Sequence, residues 1–367
     1  MTQHPSYYHV FLTFVRNSLV RELTFRSNFL IQCISSLSWT LMNVGFYLLI
    51  FSHVNRLTEG AGWGKWEFFI FLATTMFVNS VVQALFMPNA QRFSELIRQG
   101  GLDFALLKPI DTQFLVSLQR IEWSSLANFI AGAVLLTVSL WTLTNRLDLQ
   151  GAEIDGLTVS EIDQRSPAFR DGLRRGDQIL AVAERPVSDN ASFRTAVLNS
   201  ASQPQLRVSR AGATEEIRLS LPETPAQRLR YKLQLTTTHL LLYPVYIAIG
   251  ITILYSLMIS LAATSVWLGR NQTLYNFWFY ITNFSRYPME IYGGSAWGDG
   301  LRFVFTFVIP VLVVVNVPAR IMAQPLHPNP SVSVPQGLFA IAAALGSLIV
   351  SRWIFTRALM SYRSASS

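Results

Sequence analysis

Six long runs without a single Asp, Glu, Lys or Arg constrain this chain more than any other feature: residues 29–51, 68–90, 123–144, 235–269, 303–319 and 337–351. An α-helix rises 1.5 Å per residue, so about 20 apolar residues cross the roughly 30 Å hydrocarbon layer of a bilayer. Runs of this kind predict a mainly α, polytopic membrane protein with six transmembrane helices, 1–3 within 29–144 and 4–6 within 235–367. The fifth run carries Ile309-Pro310 and Asn316-Val317-Pro318, which neighbouring helices can tolerate by satisfying the freed backbone groups.

Charge is scarce and unevenly placed. Charged residues make up 14% of the 367, and 11 of the 21 acidic side chains fall between Glu153 and Glu223. A small soluble segment, 156–221, is therefore expected between the third and fourth spans. The net charge of +8 reads as basic residues holding helix ends at the cytoplasmic face, with no nucleic-acid partner. Segments 1–28, 89–112, 269–299 and 354–367 carry 3, 3, 2 and 2 Lys/Arg, whereas 53–66 and 323–335 carry two and none. That bias predicts cytoplasmic termini, cytoplasmic loops at 89–112 and 269–299, and an extracytoplasmic insert, all in the cell membrane. No removable signal peptide is expected, and the single Cys33 excludes an intramolecular disulfide. Before the first span, Tyr7, Tyr8, Phe11, Leu12, Val15, Leu19 and Leu23 recur at helical spacing, a pattern for a helix in the lipid interface over 1–28.

The insert alternates like a small α+β domain. Leu157–Ile162 and Gln178–Val182 read as strands, Ser166-Pro167 as a helix start, and Phe193, Ala196 and Val197 share a helix face. Alternating residues around Ala211-Gly212-Ala213 form a hairpin signal. The series Ser166-Pro167-Ala168, Asp171-Gly172-Leu173, Gly176-Asp177-Gln178-Ile179-Leu180 and Arg185-Pro186-Val187 resembles a PDZ domain of the bacterial type. PDZ domains take a peptide's carboxy terminus as an added strand. The resemblance implies a peptide or protein partner at Gly156, Leu157, Val159, Phe193 and Val197. Upstream, only residues 148–155 remain for the pairing strand, without the usual Φ-Gly-Φ loop, so a domain used for packing or assembly stands beside a peptide-binding one.

Several chemistries are missing from the sequence. It has no Gly-x-x-x-x-Gly-Lys-[Ser/Thr] loop for nucleotide phosphates and no His-Glu-x-x-His pair for zinc, so neither an ATPase nor an intramembrane metalloprotease is expected. Glu122 beside Arg120 reads as an interfacial pair, and no catalytic or metal site is assigned.

What remains is in two loops. Asn89 is expected to cap a short helix with Phe93, Leu96 and Ile97 on one face, closed by Gly100-Gly101 and followed by Leu102-Asp103-Phe104-Ala105-Leu106-Leu107-Lys108-Pro109. That stretch resembles the first intracellular loop of type-2 ABC permeases. The likeness continues at Ser285-Arg286-Tyr287-Pro288-Met289-Glu290-Ile291-Tyr292, at Phe307-Val308-Ile309-Pro310 and at Asn316-Val317-Pro318-Ala319. It implies a permease subunit of an ATP-binding cassette exporter, paired with a second permease copy or homologue. Separate ABC ATPase subunits would supply the energy, with ATP and Mg on those partners and no cofactor on this chain. Coupling to the ATPase is expected at Phe93, Glu95, Leu96, Ile97, Gly101, Asp103, Lys108, Pro109, Arg286, Tyr287 and Pro288. Tyr275, Phe277, Trp278, Phe279 and Tyr280 are expected to anchor a helix to membrane lipid. The alternative reading is a membrane-anchored PDZ scaffold or sensor that binds a partner's carboxy terminus outside the cytoplasm.

Overall fold

The computed structural model describes residues 6–54, 63–224, 228–231, 233, 235–268, 272–323 and 330–362. The chain forms two compact units, one of 1–137 with 237–367 and one of 138–236. Much of 53–66 and 323–335, together with Arg270 and the aromatic side chains of Tyr275 and Phe277, lies outside what is described.

The first unit is helical: α1 (Tyr7–Thr24), α2 (Arg26–His53), α3 (Lys65–Leu85), α4 (Met87–Arg98), α5 (Gly101–Leu106), α6 (Thr112–Leu118) and α7 (Leu126–Asn145). After the insert follow α10 (Thr237–Ala263), α11 (Ser265–Leu268), α12 (Gln272–Asn283), α13 (Ala296–Phe303), α14 (Leu312–Ala323) and α15 (Pro330–Ser361). Among the described residues five helices are long and apolar enough to cross a membrane. The second of these is the centre of the unit. Its most apolar window is 72% buried, against 11% for Arg26–His53 and 17% for Trp123–Asn145. A helix that is apolar all round buries all faces when others surround it, and α3 packs against α10 and α14. Close approach of α10 and α14 depends on a missing side chain, since a Cβ on Gly250 would stand 2.6 Å from the carbonyl oxygen of Val314.

The fifth apolar run is not one straight helix. The segments Ala296–Val308 and Leu312–Ala323 meet at 90°. Pro310 has no N–H to donate, and the preceding turn widens into a π-helix over Val304–Val308, closed by Ile309 N–H to the Val304 carbonyl at 2.9 Å. The expected 269–299 loop is also more structured than a loop, containing α12 and two 3₁₀ turns at Phe284–Arg286 and Met289–Tyr292. Trp278 of its expected aromatic anchor is buried, while Phe279 and Tyr280 are exposed.

The second unit holds an eight-stranded antiparallel sheet: β1 (Leu147–Leu149), β2 (Ala152–Asp155), β3 (Thr158–Ile162), β4 (Gln178–Val182), β5 (Arg185–Pro186), β6 (Gln205–Arg210), β7 (Ala213–Arg218) and β8 (Arg230–Tyr231). The order is β7-β6-β4-β3-β2-β1-β8, with β5 beside β4. Two helices flank it, α8 (Pro167–Arg170) and α9 (Asn190–Leu198). The Ser166 hydroxyl accepts from Phe169 N–H to start α8, and Asp189 with Ser192 forms a capping box on α9. Inward residues of alternate strand positions, among them Leu149, Ile154, Val159, Ile179, Leu206 and Val208, make one core with Phe193 and Val197. Asp177 is buried and receives Arg210 Nε and Nη2 at 2.8 and 2.7 Å, and Arg174 N–H at 2.8 Å. The sheet is larger than 156–221 suggests: β1 and β2 precede that segment and β8 follows it.

Candidate functional site

The α4–α5 segment is held from several directions. Asn89 is the third residue of α4, and its side chain does not cap the helix. Its Oδ1 accepts Arg120 N–H at 2.8 Å, and its Nδ2 donates to the Arg120 and Leu85 carbonyls at 2.6 and 2.7 Å. Phe93 is fully buried, with its ring 5.6 Å from that of Phe355 on α15. Gly100 ends α4 at φ +70°, and the chain turns so tightly that a Cβ on Gly101 would meet Leu96 Cδ2 at 3.0 Å. In α5, Leu102 and Ala105 face inward.

That packing leaves a different set of residues outside. Phe104 is 74% exposed, Leu107 81% and Leu106 40%. Glu95, Lys108 and Pro109 are exposed around them, and Leu96, Ile97, Gly101 and Asp103 are half-buried. Phe93 is thus an anchor rather than a contact surface, and Asp103 interacts with Tyr362. Phe104 and Leu107 were legible as an i, i+3 apolar pair but stand outside the face marked by Phe93, Leu96 and Ile97.

Behind this surface lies a polar network. Asp111 caps α6 by accepting Phe114 N–H at 3.0 Å, and Arg352 of α15 grips its carboxylate. Arg352 also reaches Gln113 at 3.0 Å; Gln113 and Ser117 meet the Tyr255 hydroxyl of α10 at 3.1 and 3.0 Å. Burial alone pushes Asp111 up, but the Arg352 and Phe114 hydrogen bonds outweigh it and hold the carboxyl below its usual range. Helix α1 packs against the loop after α6: Ser18 accepts Ile121 N–H at 3.1 Å, and Glu22 accepts Trp123 N–H at 2.9 Å. Burial, with Glu22 nearby, raises Glu122 despite Arg21 and Arg120.

Arg286, Tyr287 and Pro288 do not join this surface. Tyr287 lies beside Tyr47 in the last third of α2. Met289 N–H donates to Asn316 Oδ1 at 2.9 Å. Glu290 accepts Trp63 Nε1–H at 2.9 Å and pairs with Arg320. Trp63 stands just before α3 and Asn89 just after it. Those 21 residues separate the two ends by about 30 Å. The 286–290 stretch therefore lies at the opposite end of the central helix from α4–α5, which corrects the expectation of one shared inner-loop surface. Burial also pushes the Tyr292 hydroxyl up to about 12.

In the second unit, Val159, Phe193 and Val197 are fully buried in the core, so they are not walls of an open groove. Gly156, at φ +65°, turns β2 into β3 with open space around it, and Leu157 packs half-buried against the core. The edge beside β1 is occupied by β8, with Leu147 opposite Tyr231 and Asp148 opposite Arg230.

Comparison with known families matches the geometry. A search of the curated proteins finds no match. A family model for the PDZ domain matches residues 134–221, the segment that holds β1 to β7 and both flanking helices. A family model described as ABC-2 family transporter protein matches 37–159 and 228–366, on both sides of the insert and over most of the chain. The protein therefore belongs to the ABC-2 transporter family, as a multi-pass membrane chain into which a PDZ domain is inserted.

Proposed function

We propose that this chain is the membrane-spanning permease subunit of an ATP-binding cassette exporter, energised by ATPase subunits on separate chains that bind ATP and Mg. The observation that carries the reading is the exposed Phe104–Leu107 knuckle on a segment otherwise pinned by Asn89, Phe93 and Leu102. Large apolar side chains held out on a rigid base suit a groove in a partner protein. Glu95 and Lys108 rim the knuckle with charge, so a push on it would pass through Phe93 to α15 and through Asn89 to the start of span three. The bent pair is re-entrant in this reading, because Arg320 in its last turn pairs with Glu290 just before its start, and two such permease copies enclose the pathway. The excess of Lys/Arg places α4–α5 and both termini in the cytoplasm and the PDZ domain outside.

The experiment is co-purification in detergent of the full chain with a co-expressed ABC ATPase subunit from the same cells. Phe104→Glu with Leu107→Glu should abolish association while leaving the thermal midpoint of the permease in place. Undiminished ATPase binding by this double variant would remove the knuckle as the docking surface.

A further inference from the structure

We infer that the PDZ domain carries its own ligand: β8, with the residues around it, fills in cis the sheet edge at which an external strand would add. A sheet edge presents unpaired N–H and C=O groups, and strand addition satisfies them. On the β2 side of this sheet the outermost PDZ strand is β1, and β8 pairs with it antiparallel. That is the bonding an incoming peptide would make.

Two further observations show that β8 is docked rather than passing by. Leu229 belongs to the core of the domain, and Leu233 is 2% exposed. Arg228 is buried, and its guanidinium donates to backbone carbonyls of four residues: Pro222 at 2.7 Å, Glu223 at 3.1 Å, Ser200 at 2.5 Å and Leu198 at 3.5 Å. Leu198 ends α9, where the unpaired carbonyls carry the negative end of the helix dipole and favour a cation. A planar guanidinium matches such a ring of acceptors with several donors at once. Arg228 and Leu229 thus seat the chain immediately before it enters the ladder.

The consequence follows from connectivity. β1 starts two residues after α7 ends at Asn145, and β8 ends six residues before α10 starts at Thr237. The β1–β8 ladder therefore joins the two strands that continue into spans three and four, and only two residue pairs hold it. The peptide-accepting edge of the domain opens only when this ladder parts.

The test uses the full chain in detergent, in a Cys33→Ser background. Paired strand residues lie about 4.5–5.5 Å apart at Cα, within disulfide range. Asp148→Cys with Arg230→Cys should crosslink on mild oxidation at least about tenfold faster than Asp148→Cys with Thr214→Cys on the far strand β7. Separately, Arg230→Pro removes a donor from the ladder. Amide exchange over 147–149 should then accelerate at least about tenfold, with exchange over 205–218 unchanged. A crosslink no faster than the control, or exchange over 147–149 unaltered by Arg230→Pro, overturns the inference. Neither measurement involves ATP, so its outcome is independent of the exporter reading.

Discussion

Arg352, near the end of the last helix, holds Asp111, at the start of α6, through both carboxylate oxygens, at 3.1 Å to Oδ1 and 2.5 Å to Oδ2. The contact bridges 241 residues of sequence and ties span six to the loop that opens the path into span three. Fork-on-carboxylate geometry is the strong form of an ion pair, but Arg352 is 54% exposed, so solvent screening reduces its worth to about 1 kcal/mol or less.

Asp111→Asn should therefore lower the thermal midpoint only slightly. Its pH dependence is more telling. The carboxyl is held below its ordinary 3.8, so the pair's stabilisation is full above that value and is lost as pH falls through the depressed one. Wild type should lose midpoint below about pH 4 more steeply than Asp111→Asn. Equal slopes in a thermal-shift titration would discount the pair.

Glu122 runs the other way. Burial raises its carboxyl above 4.5, so its contribution is most favourable below that value and is lost as pH rises through the raised one. Glu122→Gln should raise the midpoint at neutral pH and leave it unchanged near pH 4. A lower midpoint at neutral pH would contradict this.

Phe93→Ala opens a cavity against Phe355. The side chain is fully buried, so the loss should be about 3–5 kcal/mol, with Phe93→Leu losing less. If Phe93 transmits force rather than binding the partner, Phe93→Leu should keep ATPase association and reduce stimulated turnover. Loss of association with a normal midpoint would make it a contact residue.

Glu290→Ala leaves Arg320 inside the helical unit without its carboxylate. The pair is half-buried, so breaking it from one side should cost less than the about 3–5 kcal/mol of a fully buried pair, and the midpoint should fall while the α4–α5 surface still takes up ATPase. Glu290→Gln keeps an acceptor for Trp63 and should be milder. Equal midpoints for both variants and wild type would argue against the pair.

Sidedness has a direct measurement. In a Cys33→Ser background, Tyr287→Cys should react with a membrane-impermeant maleimide from outside the cell, and Leu107→Cys only after the membrane is opened. Labelling of both from one side would collapse the 30 Å separation along α3.

Much of this architecture was legible in the chain itself. Uncharged runs of span length are a one-dimensional signal, because hydrocarbon accepts only helices that satisfy their own backbone. The clustering of acidic residues between 153 and 223 marked the soluble insert, and Ser166-Pro167 wrote the start of its first helix locally. Tertiary packing decided what such patterns do not contain. Phe93 and Phe104 are both apolar residues on short helices of the same loop, yet one is enclosed by Phe355 and the other left bare. Tyr287 sits in a loop-like, basic-flanked segment, yet α12 carries it to the far end of α3. Residues 230–231 show no strand signal of their own, and become β8 because β1 offers an unpaired edge. Periodicity and charge report what each segment prefers against solvent or lipid, whereas partner choice depends on contacts about 80 to 260 positions apart.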